Sequence, residues 1–202
     1  MYYRPKIVKF RIILALATLA AALLSGICAY AQESPVYGLY NSPKGFGFSI
    51  HAPEKSGTFD TFCLHADSFG FFSGRASNPG IKFNYSHNFI LKEFRDRDMH
   101  VELFAGPGVS ASYVYDYETS RVFVLFGGDK LTKNMGFAPC LSATGGARLM
   151  FDHSRFSFDI SLRSEIGVHI RRNEEGTATS MSWSIMGVLE TFYPELTILY
   201  SF

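Results

Sequence analysis

Few side chains in this chain have types and spacing suited to chemistry. Tyr85-Ser86-His87-Asn88 sets a serine beside a histidine, and a serine next to a base that an acid orients is the arrangement that activates a hydroxyl for acyl transfer. In an extended stretch, however, adjacent residues point to opposite faces, so these two side chains should not meet. His51, His65, His100, His153 and His169 are scattered without the spacing of metal ligands. Five charges, Glu102, Arg148, Asp159, Arg163 and Glu165, fall on the polar side of alternating stretches. They are expected to neutralise one another in a confined interior rather than to form a catalytic cluster. No catalytic, metal-binding or cofactor-binding residue is assigned.

The elements that position these residues read as strands. From Arg155 to Arg171 the even residues, Phe156, Phe158, Ile160, Leu162, Ser164, Ile166, Val168 and Ile170, are nearly all apolar, and the odd ones are polar, charged or glycine. At about 3.3 Å per residue this stretch spans roughly 55 Å, far beyond the usual strand of about 5 to 6 residues and suited to a tilted strand that crosses a bilayer. Alternation recurs at 45–52, 59–68, 81–91, 99–117, 137–151, 179–191 and 192–202, with 59–68 the poorest. The total is eight strands, an even number as in bacterial single-chain barrels. The apolar faces of 99–117, 137–151 and 156–170 carry no charge, and Tyr113, Tyr115 and Tyr117 at one end resemble an interfacial aromatic girdle. Pro107 and Pro139 fall inside strands, where a ladder misses their N–H groups; a bulge at Gly106-Pro107-Gly108 is expected.

The amino-terminal segment carries Arg4, Lys6, Lys9 and Arg11, then an apolar run from Ile12 that ends in Ala29-Tyr30-Ala31. This is the layout of a signal peptide cleaved after residue 31. An uncleaved anchor is the alternative, since the run is long enough to span a membrane. A lipoprotein at Cys28 is disfavoured by Ile27. Cleavage removes four basic residues and takes the formal net charge from +1 to −3, which gives no footprint for nucleic acid. Two cysteines then remain, Cys63 and Cys140, too few for a disulfide framework; a single bridge between them stays open in an exported compartment. Residues 32–43 read as a leader and 44–202 as one barrel domain. With strands counted from 45–52, the longer connections at 69–79, 118–135 and 172–178 fall on the same side as the termini, against the rule of short turns on that side.

The carboxyl terminus, Leu196-Thr197-Ile198-Leu199-Tyr200-Ser201-Phe202, resembles the assembly signal of outer-membrane barrels, with Tyr200 and Phe202 as its aromatic residues. Lys44–Pro53, Pro79–Tyr85, Phe104-Ala105-Gly106-Pro107-Gly108 and Tyr193-Pro194-Glu195-Leu196 resemble small outer-membrane barrels of Bacteroides-type bacteria. The fold expected is all-β, a closed antiparallel up-and-down transmembrane β-barrel of about eight strands in the outer membrane of a Gram-negative bacterium. Its partners would be outer-membrane lipid and, during insertion, the barrel-assembly machinery. The role expected is structural or surface interaction, with a lumen filled by side chains and no catalysis. The alternatives are a lipid-modifying outer-membrane enzyme and a soluble, lipocalin-like periplasmic carrier whose apolar face would point inward. Finally, a four-residue loop at Asp152–Arg155 would set Arg148 opposite Asp159, whereas a two-residue loop would set it opposite Ser157.

Overall fold

The computed structural model describes residues 35–43, 45–67, 80–116, 124–126, 134–172, 179–187 and 194–201. The segment expected to be a signal peptide, Cys28 and Phe202 lie outside the described residues, as do most of the longer connections. Among the described residues ten strands form one antiparallel sheet: β1 (Val36–Ser42), β2 (Gly45–His51), β3 (Thr58–Asp67), β4 (Gly80–Arg95), β5 (Met99–Asp116), β6 (Val124–Phe126), β7 (Asn134–Phe151), β8 (Phe156–Arg172), β9 (Thr179–Gly187) and β10 (Pro194–Tyr200).

The sheet closes into a barrel of eight staves. The first seven are β1, β2, β3, β4, β5, β7 and β8, and the eighth is β9 followed by β10. β9 pairs with the later half of β8, from Ser164↔Gly187 to Arg172↔Thr179, and β10 with the earlier half, from Leu162↔Pro194 to Phe156↔Tyr200. β10 then seals against β1 through Tyr37↔Tyr200 to Asn41↔Leu196. The short β6 pairs with β9 and covers part of the edge that β1 does not reach. Following hydrogen-bonded partners from Leu199 through Gly38, Ser49, Cys63, Asn84, Ser110 and Cys140 arrives at Gly167 of β8, whereas the direct partner of Leu199 on β8 is Ser157, ten residues away. That stagger tilts the strands by about 40° and leaves an interior that side chains can fill.

The strand count of eight holds, but its composition differs from the sequence reading. Val36–Ser42, expected as leader, is the first stave. The expected strands at 179–191 and 192–202 are one stave, interrupted between Gly187, which pairs with Ser164, and Pro194, which pairs with Leu162, so that Arg163 lies opposite the break. Moving the count by one stave removes the topological conflict. One end of the barrel holds Pro35, Ser201 and the compact turns at 52–57, 96–98 and 152–155; the other holds the paired strand ends Ser42 and Gly45, Asp67 and Gly80, Asp116 and Asn134, and Arg172 and Thr179.

The prolines break the ladder without moving it. The β5–β7 register runs continuously from Met99↔Phe151 to Asp116↔Asn134, so no bulge forms at Gly106-Pro107-Gly108. Instead the β4–β5 ladder skips from Ser86↔Gly108 to Phe89↔Ala105, and the β7–β8 ladder from Phe137↔Ile170 to Cys140↔Gly167. Each gap contains the pair that would use the proline N–H, Pro107 with His87 and Pro139 with Val168. The one register shift of β4 lies lower, between Ile90 and Lys92.

The barrel is polar inside and apolar outside. Ser49, His51, Asn84, Ser86, Asn88, Glu102, Ser112, Arg148, Asp159, Arg163 and Glu165 are buried in the lumen, whereas Leu39, Phe48, Leu64, Ile81, Leu91 and Leu141 are each more than half exposed on the outer wall. Gly38 serves the seam: a Cβ there would come within 2.7 Å of Leu199 Cδ2 and 2.9 Å of Thr197 Cγ2, so the bare backbone lets β10 close on β1.

Candidate functional site

The polar lumen is divided into two charge clusters. The cluster nearer the termini is centred on Arg148. Its Nε donates to Asp159 Oδ1 at 3.0 Å and its Nη2 to Asp159 Oδ2 at 3.3 Å, a two-pronged pair across the register Arg148↔Asp159. This is the register of the four-residue loop. Nη2 also donates to His51 Nδ1 at 2.8 Å, and Nη1 stands 3.5 Å from Glu102 Oε2. Because His51 accepts at Nδ1, its own proton sits on Nε2, and its 3.5 Å approach to Asp159 is not an ion pair. The guanidinium lies 3.9 Å over the Phe59 ring, which in turn meets Phe104 edge-on. A cavity of about 290 Å³ opens at this end, with Glu102, Arg148 and His51 in its wall and Glu54 and Arg155 around it.

The second cluster contains Arg163 and Glu165, and the structure gives them partners that the sequence reading did not assign. Arg163 Nη2 lies 3.2 Å from Glu195 Oε2, and Glu195 also accepts from Tyr40 Oη at 2.9 Å and Ser161 Oγ at 3.4 Å. Glu165 pairs with Lys82. Tyr40 stacks on His65 with ring centres 4.6 Å apart. Thus the five charges singled out in sequence do not form one network: Glu102, Arg148 and Asp159 meet, while Arg163 and Glu165 belong with Glu195 and Lys82. Both missed partners lie at inward parity on their strands, and that parity was the signal available.

Ser86 and His87 are on opposite walls. Ser86 is buried in the lumen, where its Oγ accepts from Asn88 Nδ2 at 3.2 Å. His87 is on the outer wall and donates from Nδ1 to Asp60 Oδ1 at 2.7 Å; Tyr85 Oη donates to the same oxygen at 3.0 Å. The histidine therefore has an acid but not the neighbouring serine as a nucleophile. Cys63 and Cys140 are both buried as thiols, so the bridge left open by sequence is not made. Among the described residues, no group of three or more His, Cys, Asp or Glu side chains could hold a metal ion. Tyr200 lies in the closing strand, its ring 5.1 Å from that of Phe156.

No protein-family model matches this chain, and no curated protein matches it. Among solved structures, the crystal structure of a major outer membrane protein from Thermus thermophilus is similar, with 12% identity and a TM-score of 0.40 over 84% of this chain and 100% of that one. A likeness this distant carries no functional assignment; the architecture rests on the closed antiparallel eight-stave barrel itself.

Proposed function

We propose that this chain is an outer-membrane β-barrel with a structural or surface-interaction role, its lumen filled by side chains and without catalysis. The observation that carries the reading is the inversion of polarity between the two walls. Twenty-two large apolar side chains are exposed on the described surface, while Asp159, Arg163 and Glu165 are only 4%, 7% and 3% exposed. With each apolar side chain counted as half exposed, and about 1.5 to 3 kcal/mol gained on full burial, a barrel in water would forgo on the order of 15 to 30 kcal/mol. That matches or exceeds the roughly 5 to 15 kcal/mol net stability of a folded domain. In a bilayer the same surface is matched to its solvent, and closure of β10 on β1 pairs the backbone along the seam.

A soluble carrier needs the reverse arrangement, an apolar interior for its ligand. Separation of Ser86 from His87 supports a role without catalysis. In this reading the end with the termini and compact turns faces the periplasm, and the end with longer connections faces outward.

Membrane fractionation tests the proposal. The expected outcome is recovery of the mature protein with outer membranes, resistance to carbonate extraction, release only by detergent, and a shift in electrophoretic mobility on boiling. Recovery in the soluble periplasmic fraction without detergent would overturn it.

A further inference from the structure

The cluster around Arg148 holds more negative charge than its one cation offsets, and the surplus borders a cavity. Arg148 spends its donors on Asp159 and His51: Nε on Oδ1, Nη2 on Oδ2 and on His51 Nδ1. A guanidinium only donates, so the ring nitrogen that accepts from it is unprotonated and His51 is neutral. One cation therefore serves two buried carboxylates, Asp159 and Glu102. The donors nearest Glu102 are Arg148 Nη1, 3.5 Å from Oε2, and His100 Nδ1, 3.8 Å from Oε1. Both stand beyond the about 2.7 to 3.2 Å of a hydrogen bond. His100 Nε2 also lies 3.5 Å from Glu93 Oε2, and one imidazole between two acids cannot neutralise both. Glu102 is only 3% exposed, and a buried carboxylate without a donor is costly.

From this arrangement we propose that the cavity at the terminal end binds a small organic amine, its ammonium group donating to Glu102 and its short apolar stem resting on Val36, Met150 and Leu199. All four residues line the cavity. Its volume of about 290 Å³ is at the lower end of small-molecule pockets, roughly 300 to 1,000 Å³, which suits a molecule of a few heavy atoms rather than a lipid or a peptide. Charge sets the sign of the ligand. The donors of Arg148 are engaged, its face is covered by Phe59, and Glu54 and Arg155 at the mouth cancel, so an anion would meet Glu102 with no free cation beside it. Hydrogen bonding sets its chemistry: an ammonium brings N–H groups to a carboxylate that lacks them, and such charge-assisted bonds are the strong ones. The proposal goes beyond the structural reading of the barrel and does not depend on which end faces the periplasm.

The test titrates the protein, folded in detergent with isotope-labelled methionine methyl groups, with n-butylammonium. The Met150 methyl resonance should shift saturably, because Met150 lines the cavity beside Glu102. Glu102→Gln keeps the size of the side chain and removes its charge, and should raise the midpoint about tenfold or more, the scale of a lost hydrogen bond to a charged group. Asp60→Asn, which removes an acid from the outer wall, should leave the midpoint unchanged and so excludes a general attraction of amines to acids. On the unaltered protein, n-butanol and butyrate match the stem without the ammonium and should give no saturable shift at the same concentrations. That comparison decides the matter even where Glu102→Gln does not fold. A response to n-butanol or to potassium ion equal to that of the amine, an unchanged midpoint in folded Glu102→Gln, or no saturable shift of Met150 would overturn the proposal. Membrane fractionation of the same protein is a separate measurement, so loss of amine binding from a membrane-inserted barrel would refute the cavity's role alone.

Discussion

Arg148 and Asp159 are expected to be the most sensitive residues of the lumen. Each is buried, and removal of either leaves the other's charge without its two-pronged partner. Arg148→Ala and Asp159→Ala should each cost about 3 to 5 kcal/mol. The double variant should lose less than the sum, because the second substitution removes a charge already stranded. Thermal unfolding in detergent checks this, and strictly additive losses would contradict the pairing. Glu195→Ala should instead add to Arg148→Ala, since the two clusters share no partner. This pair was legible in sequence because the outward parity is odd before the turn at 152–155 and even after it, which limits the register. The second cluster was less legible. Glu195 reaches Arg163 only because the eighth stave is interrupted opposite that arginine, and nothing in local alternation marks where an interruption will bring a side chain. Asp60 carries no local signal, because β3 has the poorest apolar face and its role as partner of His87 depends on the β3–β4 register.

At the scale of elements, β5, β7 and β8 were legible because both of their faces are long and consistent. β1 was not. Its inward side is Val36, Gly38, Tyr40 and Ser42 and its outward side Tyr37, Leu39 and Asn41, so neither face is uniform, and flanking Pro35 and Pro43 carry the signal of a loop. Its strand character comes from the seam, where it supplies partners to β2 and β10 at once. The prolines illustrate a second limit of pattern. They remove single hydrogen bonds, yet side-chain parity is held by the opposite ladder: β5 keeps full register with β7 at Pro107. Pro107→Ala should therefore introduce an amide that donates to the His87 carbonyl without shifting register. Hydrogen exchange provides the measurement. The new amide is expected to exchange as slowly as its strand neighbours, and fast exchange would mean that the gap has a cause other than the missing N–H. The gain in stability should stay near zero, because a bond worth about 0.5 to 1.5 kcal/mol is offset by about 0.4 to 1 kcal/mol of added freedom in the unfolded chain.

For the whole molecule, closure and orientation yield separate expectations. The seam between β1 and β10 is the last to form in chain order, and Tyr200 sits in it opposite Tyr37 and Phe156. Tyr200→Asp should therefore sharply reduce folded, membrane-inserted protein, as should removal of Phe202 if the terminal segment is the assembly signal; wild-type amounts of heat-modifiable protein from both variants would count against that role. Orientation follows from the stave count. Once β1 is the first stave, the paired strand ends Asp67 and Gly80, Asp116 and Asn134, and Arg172 and Thr179 share one end, and 52–57, 96–98 and 152–155 share the end that carries Pro35 and Ser201. Barrels inserted from the periplasm keep their termini and compact turns there, so a cysteine introduced at Ser73, Asp129 or Glu175 should react with a membrane-impermeant maleimide on intact cells. One at Ser56, Arg97 or His153 should react only after the outer membrane is permeabilised. A count that began at β2 would reverse the two sets, so labelling of Ser56→Cys, Arg97→Cys and His153→Cys on intact cells, with Ser73→Cys, Asp129→Cys and Glu175→Cys protected, would reject this orientation.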